Sequence, residues 1–189
     1  FVVGLLPRDI AVLKGGAGLF FEQTPLNVGA FESFEAASLT RYAADGVTPA
    51  GPRLTYVHRA GLLETPRAFT WNLEYNQRIG SSVLVRLNHV QRRESHNALI
   101  TPRESGSLAE LNLSSDGRSR YTETELTVRF GTNDTRQLTL SYVRSHQTTS
   151  LNAYDLFYGD FRNPIVRPDQ LASGPTDVPN RFIARGVLT

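Results

Sequence analysis

Cysteine and methionine are both absent from this sequence. Without cysteine there is no disulfide framework and no thiolate metal site, which suits a bacterial protein that passes through an oxidising compartment. Without methionine, and with Phe1 at its start, the chain is expected to be a processed or excised piece. No basic, apolar, small-residue pattern of a secretory signal opens it. No apolar run nears the roughly 18 residues a membrane-crossing helix needs, so a helical membrane protein is excluded. A membrane barrel is not excluded, because its strands are apolar on one face only. A charge excess is missing as well. The 20 basic and 18 acidic residues leave a net charge of +2, without the clustered basic face that nucleic acid demands.

What the chain does have is period-two alternation. In "FTWNLEYNQRIGSSVLVRLNHVQR", residues 69–92, the large apolar positions are Phe69, Trp71, Leu73 and Tyr75, then Val83, Val85 and Leu87. Thr70, Asn72, Glu74, Asn76, Arg78, Arg86 and Asn88 fall between them. Strands are expected over 1–6, 10–22, 67–79, 82–92, 120–130, 136–147 and 181–189, about seven in all. Tight turns at Pro7–Asp9, Gly80–Ser81 and Gly131–Thr135 alternate with long connections at 23–66, 93–119 and 148–179. "AFESFEAASLTRY", within the first long connection, suits a short helix. Long structureless loops are uncommon in compact domains. Leaving one end of an up-and-down sheet, they match the extracellular loops of an outer-membrane barrel, with short periplasmic turns at the other end.

Alternation over ten to twelve residues exceeds the usual five or six of soluble strands. At about 3.3 Å per residue and a tilt near 40–45°, eleven residues climb roughly 25 Å, the height of the apolar band of an outer membrane. The fold expected is all-β: an antiparallel, up-and-down transmembrane β-barrel, incomplete because closure takes at least eight strands. Residues 1–189 form one partial barrel domain. Phe69, Trp71, Tyr75, Phe130 and Tyr142 are expected to face the membrane. Lys14, Glu74, Arg78, Arg86, Glu123, Glu125 and Arg129 take the other parity and are expected to line the lumen. A soluble all-β module that binds carbohydrate or another ligand remains an alternative, since a β-sandwich also buries one face of each strand. A passive porin is a third.

Catalytic signatures are missing. Neither GxSxG nor HExxH occurs. "GGAG" at 15–18 lacks the strand–turn–helix setting of a phosphate loop and reads as glycines easing a barrel strand. His58, His89, His96 and His146 have no metal-ligand spacing. Glu123 and Glu125 point the same way, and paired carboxylates serve glycoside hydrolysis. With Arg129, and Arg86 or Arg78, to offset them, a charge ladder along the lumen is the favoured reading. No enzyme activity, cofactor or metal is expected. The loop "YDLFYGDFRNP" offers Tyr154, Asp155, Phe157, Tyr158, Asp160, Phe161 and Arg162 as candidate ligand contacts at a barrel mouth; packing of its aromatics on neighbours is the plainer reading. Asp155 and Asp160 alone are a weak calcium signal.

Three stretches, "VLKGGAGLFFEQTPLNVGAF", "ETPRAFTWNLEYNQRIGSSVLVRLNHVQRRESHNALI" and "LNAYDLFYGDFRNPIVRPDQ … DVPNRFIARG", resemble the C-terminal barrel half of TonB-dependent receptors. The resemblance is to the Oar-like group, which carries a carboxypeptidase-regulatory-like domain at its N-terminus. It implies a barrel of about 22 strands around an N-terminal plug. It also implies a bacterial outer-membrane location, contact with outer-membrane lipid, and energy-coupled uptake of an unidentified ligand, driven by a TonB complex acting on an N-terminal box. Surface assembly or export is a further role the group suggests. Plug and box match no positions here, so no coupling residue carries over.

Overall fold

The computed structural model describes residues 1–5, 10–24, 26–133, 136–150, 171–174 and 177–188. Its strands are β1 (Val2–Gly4), β2 (Ala11–Phe21), β3 (Ala37–Leu39), β4 (Leu54–Ala60), β5 (Arg67–Ile79), β6 (Val83–Ser105), β7 (Leu108–Asn133), β8 (Arg136–Thr149), β9 (Ala172–Ser173) and β10 (Asn180–Leu188). All ten belong to one sheet. Its main run, β1-β2-β5-β6-β7-β8-β10, is antiparallel throughout. These are the seven strands expected from alternation. The sheet is open, all-β, and matches a section of an incomplete outer-membrane barrel. No helix among the described residues is long and apolar enough to cross a membrane, which says nothing about a β-barrel.

Between β5 and β6 the chain turns at Gly80, whose φ of +61° is a conformation glycine adopts without Cβ strain. Unbroken register then runs from Ile79↔Val83 to Arg67↔Ser95. Pairing satisfies the backbone donors and acceptors between strands, and the pleat sends alternate side chains to opposite faces.

The segment 93–119 departs from expectation. It is not a polar loop: β6 and β7 continue through it as a hairpin closed at Gly106–Ser107. The alternation of Ala109, Leu111 and Leu113, all buried, with Glu110 and Asn112 is a strand signal, hidden from a sequence reading by Pro102 and the Ser/Gly-rich flanks. Pro102 is tolerated because β5 pairs with β6 no further than Ser95, so β6 is an edge strand at that point. Register shifts between Glu94 and Asn97 and between Asn97 and Leu99 mark where the hairpin leaves the wall. His96 adopts φ +62° there. Such bulges bend a strand.

Beyond the bulge the hairpin carries a small cap. β4 runs parallel to β7, from Thr55↔Leu108 to Ala60↔Leu113, the one departure from an antiparallel sheet among the named strands. The expected short helix over 30–42 is only a 3₁₀ turn at Phe31–Ser33, after one helical turn α1 (Leu26–Gly29). Non-local pairing of β3 with β4 overrides the local helix preference. Val28, Phe31, Leu54, Tyr56, Ile100, Ala109, Leu111 and Leu113 form the buried core of the cap. His58 lies within it, edge-on to Phe31 at 4.9 Å and to Phe34 at 5.9 Å. Burial holds its pKa below the usual imidazole value.

Arg41 clamps the cap to the hairpin. Its guanidinium donates to both carboxylate oxygens of Glu104, at 2.6 and 3.3 Å, and the Tyr56 hydroxyl donates to the same group at 2.8 Å. The Arg41 hydrogen bond, then that of Tyr56, hold the Glu104 carboxyl below its ordinary value of 4.5. A depressed carboxyl pKa contributes stability that is present above the unfolded-state value and lost as pH falls through the folded-state value. The clamp is therefore expected to be intact at pH 7 and to loosen below about pH 4.5. Protease cleavage near Arg41 and in the hairpin tip should rise on acidification in the wild type, whereas Glu104→Gln should show the faster cleavage already at pH 7.

Candidate functional site

Register across the sheet sorts the two faces. Leu13, Tyr75, Leu87, Leu126, Tyr142 and Phe182 lie in one row across six strands. Leu87 is 44%, Leu126 43%, Tyr142 43% and Phe182 67% exposed. Val85, Val128, Leu140 and Ala184 make the next row toward the short turns, and Val83, Phe130 and Leu138 another. Phe69 and Trp71 share this face toward the long connections. Phe69, Trp71, Tyr75, Phe130 and Tyr142, the expected membrane-facing aromatics, thus stand on one side of the sheet. Trp71 donates its indole N–H to Gln91 at 3.0 Å, and the Tyr142 hydroxyl donates to Asn180 at 2.6 Å.

The apolar band is offset at one place in the register. On β2 it spans Leu13–Leu19 and on β5 Phe69–Tyr75, but on β6, β7 and β8 it spans Val83–Leu87, Leu126–Phe130 and Leu138–Tyr142. On β6, β7 and β8 its centre lies about five residues nearer the short turns than on β2 and β5, the whole step falling between β5 and β6. Arg144, His146, Arg93 and Arg120 share the apolar parity but lie beyond the band on their strands.

The other face holds the ladder. Lys14, Glu74, Arg78, Arg86, Glu123, Glu125 and Arg129 all fall on it by register. Lys14 pairs with Glu74 at 3.5 Å, which also accepts from Asn76. Arg86 pairs with Glu125 at 3.3 Å. Glu123 accepts from the Tyr121 hydroxyl. Glu123 and Glu125, the pair with a hydrolytic alternative, are thus each engaged with other groups. The sequence reading leaves out three further arginines of this face: Arg92 on β6, paired with Glu22 and Glu94, and Arg181 and Arg185, opposite in parity to Phe182 on β10. The signal was present in that parity, but the register linking β10 to the ladder is not readable from one strand.

Among the described residues no group of three His, Asp or Glu side chains gathers to hold a metal ion. The candidate contacts Tyr154, Asp155, Phe157, Tyr158, Asp160, Phe161 and Arg162 lie outside the described residues.

Glu125 carries more structural weight than a lone lumen charge. It accepts from Ser141 at 2.7 Å and Thr127 at 2.8 Å as well as from Arg86. Glu125→Ala leaves three donors without their acceptor. It is expected to lower stability by roughly 1–3 kcal/mol, read from the urea midpoint of the folded protein in detergent. Lys14→Ala, which removes one partner of a more exposed pair, should cost under about 1 kcal/mol.

No family model matches the sequence, and no curated protein matches it. The fold does have a counterpart among solved structures. It is similar to the outer membrane transporter YddB from Escherichia coli, with a TM-score of 0.55 and 14% sequence identity over 80% of this chain. The match covers 20% of the transporter, so this chain spans about a fifth of its length. At that identity the likeness is one of fold: an open all-β sheet with the architecture of an outer-membrane barrel section.

Proposed function

We propose that this chain is part of the barrel wall of an outer-membrane transporter of the TonB-dependent receptor type, in the Oar-like group, and that it serves energy-coupled uptake of a ligand. The carrying observation is the apolar row from Leu13 to Phe182 across six strands, half-buried at Leu13 and Tyr75 and exposed from Leu87 to Phe182, with the charged ladder on the opposite face. Among the described residues no second sheet or helix layer lies over that row, as a soluble sandwich would require. The fold likeness to an outer membrane transporter supports the reading, and so do the receptor-like stretches of sequence.

On this reading the apolar face meets outer-membrane lipid, the ladder faces the lumen, and the short turns at Gly80 and Gly131 face the periplasm. The cap stands outside the bilayer at the long-connection end. Coupling to a TonB complex would run through a plug and an N-terminal box, neither of which has a counterpart among these residues. A passive porin differs by lacking that plug. The protein is expected to fractionate with the outer membrane and to need detergent for extraction; recovery in the soluble periplasm would contradict the proposal.

A sharper check uses one charge placed on either face. Leu126→Arg puts a guanidinium among the apolar rows and is expected to cost roughly 2–4 kcal/mol in bilayer-folding equilibria. Asn72→Arg, on the opposite face, should cost well under about 1 kcal/mol, the usual range of an uncrowded surface change. Equal penalties would contradict the assignment of faces.

A further inference from the structure

The ladder is not evenly charged along its length. Toward the long connections its cations are matched, Lys14 by Glu74 and Arg86 by Glu125. Toward the short turns no cation has a carboxylate partner among the described residues. Arg78 on β5, Leu84 on β6, Arg129 on β7, Thr139 on β8 and Arg185 on β10 fall in a single register row. Arg78, Arg129 and Arg185 are all exposed, and no carboxylate lies in the row. Glu74 and Glu125, on the same strands as Arg78 and Arg129, are four residues away, about 13 Å along the strand, and are already held by Lys14 and Arg86.

Each of the three arginines is separated from the next by one intervening strand, hence by about 9.5 Å. That is too far for strong mutual repulsion in water. It is close enough for two long guanidinium side chains to converge on one group between them. A hollow on this face is lined by Arg86, Arg129 and Arg185 together with Thr127, Thr139 and Gln137. The Arg86 Nε–H is shut off from solvent and has no hydrogen-bond partner among the described residues. Guanidinium forks match the paired oxygens of phosphate or carboxylate, and the threonines and Gln137 add neutral donors. Arg129 and Arg185, without a carboxylate partner among the described residues, raise the local concentration of anions in this concave wall, and Arg86, paired with Glu125, adds donors.

We infer that the short-turn end of the polar face is an anion-binding site, built on Arg129 and Arg185 with Arg86, and that it takes a small phosphorylated or similarly oxyanionic solute. This rests on the barrel-wall reading, because that reading makes the face a lumen, and it adds the chemical class of the solute. The carboxylates held in ion pairs above the row, and the guanidiniums within it that have no carboxylate partner among the described residues, set up a potential that draws an anion toward the short turns.

Inorganic phosphate is the probe. The full-length protein, purified in detergent at low salt, is titrated with phosphate by calorimetry. Saturable binding is expected, weakening as salt is raised. The Arg129→Gln/Arg185→Gln double variant should bind roughly tenfold or more weakly, and Lys14→Gln, on the same face but in a matched pair, should bind as the wild type does. The single variant Arg185→Gln, which removes none of the hydrogen bonds to Glu125, gives the same direction of change if the double variant fails to fold. Absence of saturable binding, or equal binding by the wild type and the arginine variants, would overturn the site. Flotation of the same preparations with liposomes separates the two readings. Protein that floats but does not bind phosphate sinks the anion site alone. Protein that fails to float sinks the lumen on which the site depends.

Discussion

Register is the constraint on which the rest of the molecule depends. Side chains alternate faces with a period of two, so a slip of one residue between two neighbouring strands would turn one strand's entire set over. Slipping β7 against β6 would carry Arg129 and Glu125 among Val83, Val85 and Leu87, and would put Leu126 and Val128 on the ladder. Twelve consecutive pairs between β6 and β7, from Val83↔Phe130 to Glu94↔Ser119, and the network around Glu125 both hold against that. The hydrogen bonds of Glu125 to Ser141 on β8 and to Arg86 on β6 form only in the observed register. The polar network is therefore as much an aligning device as a lining.

A wall that answers to register must also release strands that run past it. β6 and β7 have 23 and 26 residues, far more than a roughly 25 Å band requires. The bulge at Glu94–Leu99 is where they part from β5 and β8. Past it, β7 exchanges one neighbour for another, pairing with β8 from Ser119 onward and with β4 from Leu108 to Leu113. This keeps its edge occupied where an unpaired edge would invite association. The cap core of Phe31, Leu54, Leu111 and Leu113 is an ordinary hydrophobic core. The apolar rows of the wall are left exposed by the same chain, so the protein buries apolar surface in itself at one end and presents it outward along the other.

Sequence patterning carried the wall and failed at the cap for identifiable reasons. Phe69, Trp71, Leu73 and Tyr75 alternate with polar residues so regularly that β5 is visible from its own residues. Ala109, Leu111 and Leu113 alternate just as well but sit in a short run flanked by Ser-Gly-Ser and Ser-Ser-Asp-Gly, and turn chemistry outweighs a run that short. The parallel partnership of β4 with β7 joins residues about fifty positions apart, which no local pattern encodes. On the polar face, parity placed Arg78, Arg86 and Arg129 together. Only cross-strand register brings Arg185 into line with them, and only coordinates separate matched cations from unmatched ones.

The central claim is that the row from Leu13 to Phe182 touches the hydrocarbon of a bilayer. Spin labels placed singly from residue 122 to residue 130 of the protein in lipid test it most directly, through collision with oxygen, which concentrates in hydrocarbon, and with a water-soluble nickel chelate. The account predicts a period-two pattern over 124–130, with labels at 126, 128 and 130 oxygen-accessible and those at 125, 127 and 129 accessible to the nickel chelate. Labels at 126 and 128 that are shielded from both reagents, as under a second protein layer, or open to the chelate, would contradict it.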